Sequence, residues 1–358
     1  MIAPVPSVAS MAPYALADQG PAGAISLAQN ESAFGPSPMA IAAGQAALAQ
    51  SGLYPDPEWT GLRAAISEVH GLDAQQILCG AGSMELIGCL IRAFAGPGDE
   101  VLGSQYGYLF TKTACQQAGA SFVAAPEAGF TLSTDALRDR VTPRTRIVFL
   151  CNPGNPTGTR IPNAQIEALR DDLPGDVLLI VDQAYGEFDD QDPASIFALT
   201  GRGGTVVLRT LSKAYGLAGA RTGWGLFPEA IGASVRKLLN PNNVSAVSQA
   251  MAEAAMRDQG HMRATVAGTV EIRARFALQL KAAGYDLPHS HANFVLIPFA
   301  NADAAQAADT RLRDAGLLMR GMGGYGLSHC LRATIAAPKH MARAAEILAT
   351  FKEHGHDR

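Results

Sequence analysis

The sequence predicts an α/β fold: a mostly parallel central sheet covered by helices, accompanied by a smaller α+β domain. Three observations point there. Between about residue 75 and residue 230, short apolar runs alternate with helical patterns, the signature of parallel strands joined by crossover helices. The apolar runs end in polar or glycine-rich residues, so the strand ends converge on one crevice, where open α/β sheets place ligands. After Pro241 the pattern turns helical, and the tail then mixes short strands with two further helices.

Taken in order, Glu100 to Gly103 reads as a strand, and Arg146 to Cys151 and Val177 to Asp182 are the clearest strands. The segment from Asn163 through Arg170 supplies the helix between the latter two, giving a βαβ unit. Thr205 to Leu208 is an apolar run suited to a buried parallel strand. From Val244-Ser245 through Met251, Ala255, Val266 and Ile272 towards Leu280 the pattern is one long helix, with Gly284 as its stop. Phe294 to Ile297, Leu317 to Met319 and Cys330 to Thr334 read as strands, with helices over 302–315 and 339–352. The implied division is 1–29 as an N-terminal arm and part of the small domain, 30–243 as the large domain, 244–284 as a linking helix, and 285–358 as the small C-terminal domain.

Composition narrows the function classes. The 358 residues are 48% hydrophobic and 17% charged with a net charge of −4, an ordinary globular balance that argues against a nucleic-acid surface. Cys79, Cys89, Cys115, Cys151 and Cys330 are scattered without CxxC spacing, so neither a disulfide framework nor a zinc site is indicated. His289 and His291 form an HxH pair without further ligands nearby, which fits a loop or strand better than a metal centre. No metal is expected. The N-terminus lacks the basic start and apolar core of a signal peptide, and no window holds the roughly 20 apolar residues of a membrane helix. A cytoplasmic small-molecule enzyme is the expectation.

The chemistry concentrates around Ser212-Lys213. A lysine among small residues at the carboxyl end of a buried strand is placed to form a Schiff base with an aldehyde cofactor. Thr210, Ser212 and Arg221 offer two hydroxyls and a guanidinium for a phosphate, and together these suggest pyridoxal phosphate. Asp182 closes an otherwise apolar strand, where a carboxylate is costly unless paired; a pyridinium nitrogen is a suitable partner, and capping of the next helix is the plainer alternative. Asn155 stands in the Asn152-Pro153-Gly154-Asn155-Pro156-Thr157-Gly158 loop, which two prolines and two glycines hold in a defined turn. Asn155, Asp182 and Lys213 follow one another at roughly one βα unit of about 30 residues. Tyr185 is placed to hydrogen-bond the cofactor's phenolic oxygen, or else to pack in the core.

Other segments carry weaker signals. Gly80-Ala81-Gly82-Ser83 precedes an apolar helix, where backbone amides and the helix dipole favour an anion; Ser83 as a simple N-cap is the alternative. Tyr106 is placed to stack on a flat ring, and Tyr14 and Tyr325 to line a flat pocket. Arg320 and Arg332 are each suited to a bidentate contact with a carboxylate or phosphate. Asn30-Glu31-Ser32 and Tyr54-Pro55-Asp56 are polar turns that acquire meaning only beside the rest.

These motifs, in this order from Asn30 to Arg332, resemble the fold-type I pyridoxal-phosphate aminotransferases of class I and II, specifically the histidinol-phosphate aminotransferase branch. The resemblance spans almost the whole chain. It implies Lys213 as the Schiff-base lysine, Asp182 on the pyridine nitrogen, Asn155 and Tyr185 on the phenolic oxygen, and Tyr106 stacked on the ring. Phosphate contacts come, by the same resemblance, from Ala81, Gly82, Thr210, Ser212 and Arg221. Tyr54 then reaches the partner subunit's cofactor, which implies a homodimer with shared sites. Arg332 holds the substrate α-carboxylate, with Arg320, Asn30 and Tyr14 completing the substrate pocket. The run from Arg320 to Arg332 resembles the histidinol-phosphate branch in particular.

Several positions depart from the family pattern. Ser32-Ala33 replaces Asn-Pro, Ser104-Gln105 replaces Pro-Thr, Gln183 replaces Glu, and Ala336 replaces Gly. None removes a catalytic group. The implied activity is transfer of an amino group between a small amino donor and a 2-oxo acid acceptor in a ping-pong cycle. A decarboxylase of the threonine-phosphate type on the same scaffold, and a cofactor-binding regulator without turnover, are the alternatives.

Overall fold

The computed structural model describes residues 2–9, 11–13, 20–21 and 23–354. Among them, the central sheet has seven strands in the order Ile77–Gly80, Gly223–Leu226, Thr205–Thr210, Leu178–Asp182, Thr145–Cys151, Glu100–Ser104 and Ser121–Ala125. Five run parallel in succession, and the three inner ones Thr205–Thr210, Leu178–Asp182 and Thr145–Cys151 carry the apolar runs expected of buried parallel strands. Gly223–Leu226 is antiparallel to both of its neighbours, and the sequence reading did not identify it as a strand. Its two glycines weaken the strand signal, yet a Cβ on Gly225 would lie 2.7 Å from Leu208 Cδ2, so bare backbone is what lets the strand fit there.

A second, four-stranded sheet is ordered Ile25–Leu27, Leu317–Gly321, Cys330–Thr334, Phe294–Pro298. Its edge strand comes from the N-terminal region and pairs parallel with Leu317–Gly321, while the other pairings are antiparallel. The helices Ala302–Asp314 and Pro338–Glu353 lie close to the expected ranges. Asn301 caps the first of them by accepting from the Ala304 amide.

The single long helix expected from Val244 to Leu280 is corrected to two, Ala246–Arg257 and Gln259–Ala282. Asp258 breaks the run: its backbone leaves the helical region, and its carboxylate accepts from the His261 amide as a new N-cap. Gly284, at φ +91°, ends the second helix as expected. That helix crosses between two hydrophobic cores. Met262 and Val266 pack on the core around the large sheet, whereas Phe276 and Leu280 belong to the core of the small sheet with Leu317, Leu331 and Phe351.

All five cysteine thiols are free. The helix pair Pro38–Leu48 and Ala246–Arg257 packs together beside the large sheet. No helix among the described residues is long and apolar enough to cross a membrane. His289 and His291 lie in the loop before Phe294, and Arg160 bridges Asp189 and Asp190 beside them.

Candidate active site

The carboxyl ends of the central strands open into a cavity of about 410 Å³ whose walls include Asp182, Lys213, Arg221 and Arg332. Lys213 sits just past Thr205–Thr210 in a tight turn closed by Gly216 N–H donating to Lys213 O at 3.2 Å. Gly216 has φ +69°, and a Cβ there would lie 2.3 Å from the Gly35 carbonyl, so the turn packs directly on the N-terminal chain. The amine donates to Gln29 O at 3.2 Å. Burial lowers its pKa to about 8, with Arg332 adding to the effect and Glu31 opposing it. The amine thus becomes neutral and nucleophilic at a lower pH than an ordinary lysine.

Asp182 ends the Leu178–Asp182 strand with its side chain buried. It does not cap a helix; its Oδ1 accepts from the Ala184 amide at 3.1 Å. Burial pushes its carboxyl up to about 7, with the Ala184 amide and the Lys213 charge pulling the other way. A carboxylate in this position is under-compensated and suits a cationic partner.

The Asn152 loop is held by its own side chain: Nδ2 donates to Ile161 O at 3.0 Å and Oδ1 accepts from Ile161 N at 2.7 Å. This presents Asn155, whose Oδ1 accepts from Arg332 Nη1 at 2.7 Å. Arg332 is buried rather than exposed, donates Nη2 to Ala28 O at 2.9 Å, and lies over the Phe294 ring. Its Nε is buried without a hydrogen-bond partner. Tyr185 is buried with its hydroxyl accepting from Asn30 Nδ2 at 2.8 Å, and burial raises its pKa.

An anion cradle lies at the other end of the cavity. Thr210 Oγ1 donates to Ser212 Oγ at 3.0 Å, and Arg221 reaches Ser212 Oγ at 3.5 Å while donating to Ala218 O at 3.0 Å. Opposite them the helix Ser83–Phe94 begins, with Gly82 rather than Ser83 at the N-cap position and no side-chain cap. Ala81 and Gly82, expected to contact a phosphate, donate their amides to Glu85 Oε2 at 2.7 Å and Gly80 O at 2.7 Å. Ser83 and Met84 line the cavity, and their amides open the helix, where an anion is favoured. Gly82 matters sterically, since a Cβ on it would lie 2.5 Å from Arg221 Nη2.

Asn30, Asn155, Asp182, Tyr185, Thr210, Ser212, Lys213, Arg221, Arg320, Tyr325 and Arg332 therefore share one cavity. Tyr106 does not line it; it borders a smaller neighbouring cavity, and Tyr108 stands in the wall between the two. Tyr54 is 89% exposed and away from the cavity of its own chain. Tyr14 lies outside the described residues. Tyr108, Met84 and the Gln29 carbonyl escaped the sequence reading. An aromatic two residues beyond Tyr106 was a signal for the first, whereas the Gln29 contact depends on a crossing of the chain that no local pattern reveals.

The aminotransferase class I and II family model matches residues 22–348. A histidinol-phosphate aminotransferase of Jannaschia sp. (strain CCS1) is 41% identical over 353 residues, covering 98% of each chain. That of Paramagnetospirillum magneticum is 42% identical over 357 residues with the same coverage. The solved histidinol-phosphate aminotransferase of Sinorhizobium meliloti in complex with pyridoxal-5'-phosphate superposes with a TM-score of 0.90 at 29% identity, covering 98% of this chain and 97% of that one. The buried lysine, the strand-end aspartate and the anion cradle agree with that likeness, and the chain belongs to the class I and II aminotransferases, the pyridoxal-phosphate-dependent transaminases, in their histidinol-phosphate aminotransferase branch.

Proposed function

We propose that this chain transfers the amino group of histidinol phosphate, or of an aromatic donor of similar shape, to a 2-oxo acid. The observation that carries the reading is the single cavity shared by a depressed lysine amine, an under-compensated aspartate, an anion cradle and two arginines.

Pyridoxal phosphate fits these residues. Thr210, Ser212, Arg221 and the amides of Ser83 and Met84 suit its phosphate, Asp182 suits its ring nitrogen, and Asn155 and Tyr185 suit its phenolic oxygen. The bound cofactor supplies a carbonyl for the amine and an electron sink for the carbon that loses its proton. The Lys213 amine would hold the cofactor and, when free of it, would carry the proton to and from the donor's α-carbon. Asp182 would keep the ring nitrogen protonated. Asn155, itself held by Arg332, keeps that arginine aimed into the cavity.

The substrate division rests on Arg320 and Arg332. Arg320 takes the distal phosphate and Arg332 the carboxylate of the amino acid or 2-oxo acid, with Asn30 and Tyr325 completing the pocket. We further propose a homodimer in which Tyr54 reaches the partner's site, a large domain over 30–243 with the small one over 285–358 and the 1–29 segment, and a cytoplasmic setting suited to five reduced thiols. Leu53 at 74% and Tyr54 at 89% exposure, with Met39, Ile41 and Leu48 along one helix, support an apolar surface that a second copy covers. Sedimentation of a monomer at micromolar concentration would overturn the dimer.

The deciding experiment is a set of half-reactions of the purified holoenzyme with a panel of amino donors, followed by the loss of the lysine-linked cofactor's absorbance. Histidinol phosphate or an aromatic donor should react best. Preference for short aliphatic donors would sink the substrate assignment, and carbon dioxide release without a carbonyl product would indicate decarboxylation instead.

A further inference from the structure

Glu127 opens a two-stranded hairpin in which Glu127–Ala128 pairs with Thr131–Leu132, and it ties down the loop that follows Glu100–Ser104. Its Oε1 accepts from Ser104 Oγ in a short contact and from the Tyr106 amide at 3.3 Å. Gln105 answers by accepting from the Glu127 amide at 3.4 Å. Three consecutive residues of the loop are thereby fixed by one glutamate. Two residues further on, Tyr108 stands in the wall of the active-site cavity and begins the helix Leu109–Ala118 as its N-cap residue. Ser104 and Gln105 are positions where this chain departs from the Pro-Thr common in the resembled family, so the hydroxyl that Glu127 grips belongs to this chain's own variation.

The space behind the loop is also built around this glutamate. A cavity of about 30 Å³ is lined by Glu127, Tyr106, Tyr108, Thr111 and Asn155, and it shares Tyr108 and Asn155 with the active-site cavity. Glu127 Oε2 and Thr111 Oγ1 are sealed from solvent with no hydrogen-bond partner, and the volume holds one or two waters that could satisfy them, since about 10–15 Å³ suffices for each. Burial pushes the Glu127 carboxyl up, with the Ser104 and Tyr106 donors opposing. At the hairpin's turn Phe130 has φ +62°, a conformation a bulky residue keeps only when its surroundings enforce it. Its carbonyl accepts from Thr159 Oγ1 at 2.7 Å, and its ring lies 6.5 Å from that of Tyr106 and 6.4 Å from that of His329. The hairpin is therefore held by the loops it contacts and holds them in turn.

We propose that Glu127 is a positioning residue for the amino-transfer reaction: by fixing residues 104–106 it sets where Tyr108 stands in the wall of the active-site cavity. It touches neither substrate nor cofactor and acts through Tyr108. The inference rests on the aminotransferase reading and adds a residue to it.

The test compares Glu127→Gln, Glu127→Ala and Ser104→Ala as holoenzymes, measuring kcat, KM for the amino donor, the visible circular dichroism of the bound cofactor, and thermal stability. Glu127→Gln keeps an oxygen acceptor for Ser104 and Tyr106 and should stay within about twofold of wild type in KM. Glu127→Ala and Ser104→Ala should raise KM or lower kcat by about tenfold or more and alter the cofactor's dichroism, because small displacements of a lining group are costly. If Glu127→Ala does not fold, Ser104→Ala against Glu127→Gln decides. Loss of thermal stability in Ser104→Ala with wild-type kinetics and dichroism would overturn the inference and leave a structural contact. A wild-type protein that takes up no pyridoxal phosphate would overturn the parent reading and this inference together, so the two failures are distinguishable.

Discussion

Arg320 and Arg332 are register partners across two antiparallel strands of the small sheet, and both line the active-site cavity. Directly opposed positions place side chains on one face, and like charges there repel unless an anion lies between or beside them. Arg332 is held by Asn155 and Ala28, so its position is preset. Arg320→Ala should weaken histidinol phosphate by about 10- to 100-fold, the worth of a charged hydrogen bond, while affecting an uncharged aromatic donor far less. Arg332→Ala should harm donors and acceptors that carry an α-carboxylate. Steady-state kinetics over the donor panel checks this, and equal losses for every donor in both variants would refute the division of labour.

Lys213 should capture the cofactor in its neutral form. With the amine lowered to about 8, the rate at which cofactor-free protein takes up pyridoxal phosphate should rise with pH through a midpoint near that value. Borohydride reduction followed by peptide mapping should place the pyridoxyl group on Lys213. Lys213→Ala should lose the linkage and at least about 10²-fold in turnover, the usual share of a proton-transfer group. Cofactor attached to a different lysine would overturn the assignment.

Asp182 yields a prediction about stability. Its carboxyl is raised from 3.8 to about 7, so between those values the folded, cofactor-free protein keeps a proton that the unfolded chain has released. At this site, stability should fall as pH rises from about 4 to about 7. Asp182→Asn, neutral throughout, should remove that slope in urea titrations of cofactor-free protein while sharply reducing holoenzyme turnover. An unchanged slope in the variant would show that the carboxyl is ionised across this range.

Gly223 marks where the sheet and the anion cradle meet. A Cβ at this residue would lie 2.2 Å from the Ser83 amide nitrogen and 2.7 Å from the Gly82 carbonyl carbon, both backbone atoms with little freedom to move. Gly223→Ala should therefore displace the start of the Ser83–Phe94 helix, weakening cofactor binding by at least about tenfold and destabilising the fold by about 1–3 kcal/mol, as overpacking does. Equilibrium dialysis with pyridoxal phosphate and thermal melting measure the two effects, and wild-type affinity in the variant would contradict the expected placement of the phosphate.

Much of this arrangement is legible in the sequence, for identifiable reasons. Buried parallel strands carry their own apolar signature, so Thr145–Cys151, Leu178–Asp182 and Thr205–Thr210 stand out, and polar residues at their ends mark Asp182 and Lys213. What escapes is contact between distant segments. Gly223–Leu226 hides because its two glycines fit a tight space rather than a propensity. The break at Asp258 hides because a capping residue inside a helical pattern looks like any other polar position. The partners of the Ala81 and Gly82 amides, the Glu85 carboxylate and the Gly80 carbonyl, and the place of Met84 in the cavity wall follow from how the turn closes, which the motif does not spell out.

Asn30 joins parts of the molecule that share no sheet. Its backbone N–H donates to Thr334 Oγ1 at 2.9 Å, its side-chain oxygen accepts from the same hydroxyl at 3.2 Å, its carbonyl accepts from Asn293 Nδ2 at 3.0 Å, and its amide group donates to Tyr185 in the turn just beyond the Leu178–Asp182 strand. The hydroxyl of Tyr185 is thus tied, through Asn30, to Thr334 and Asn293, two residues of the small-sheet side that line no part of the cavity.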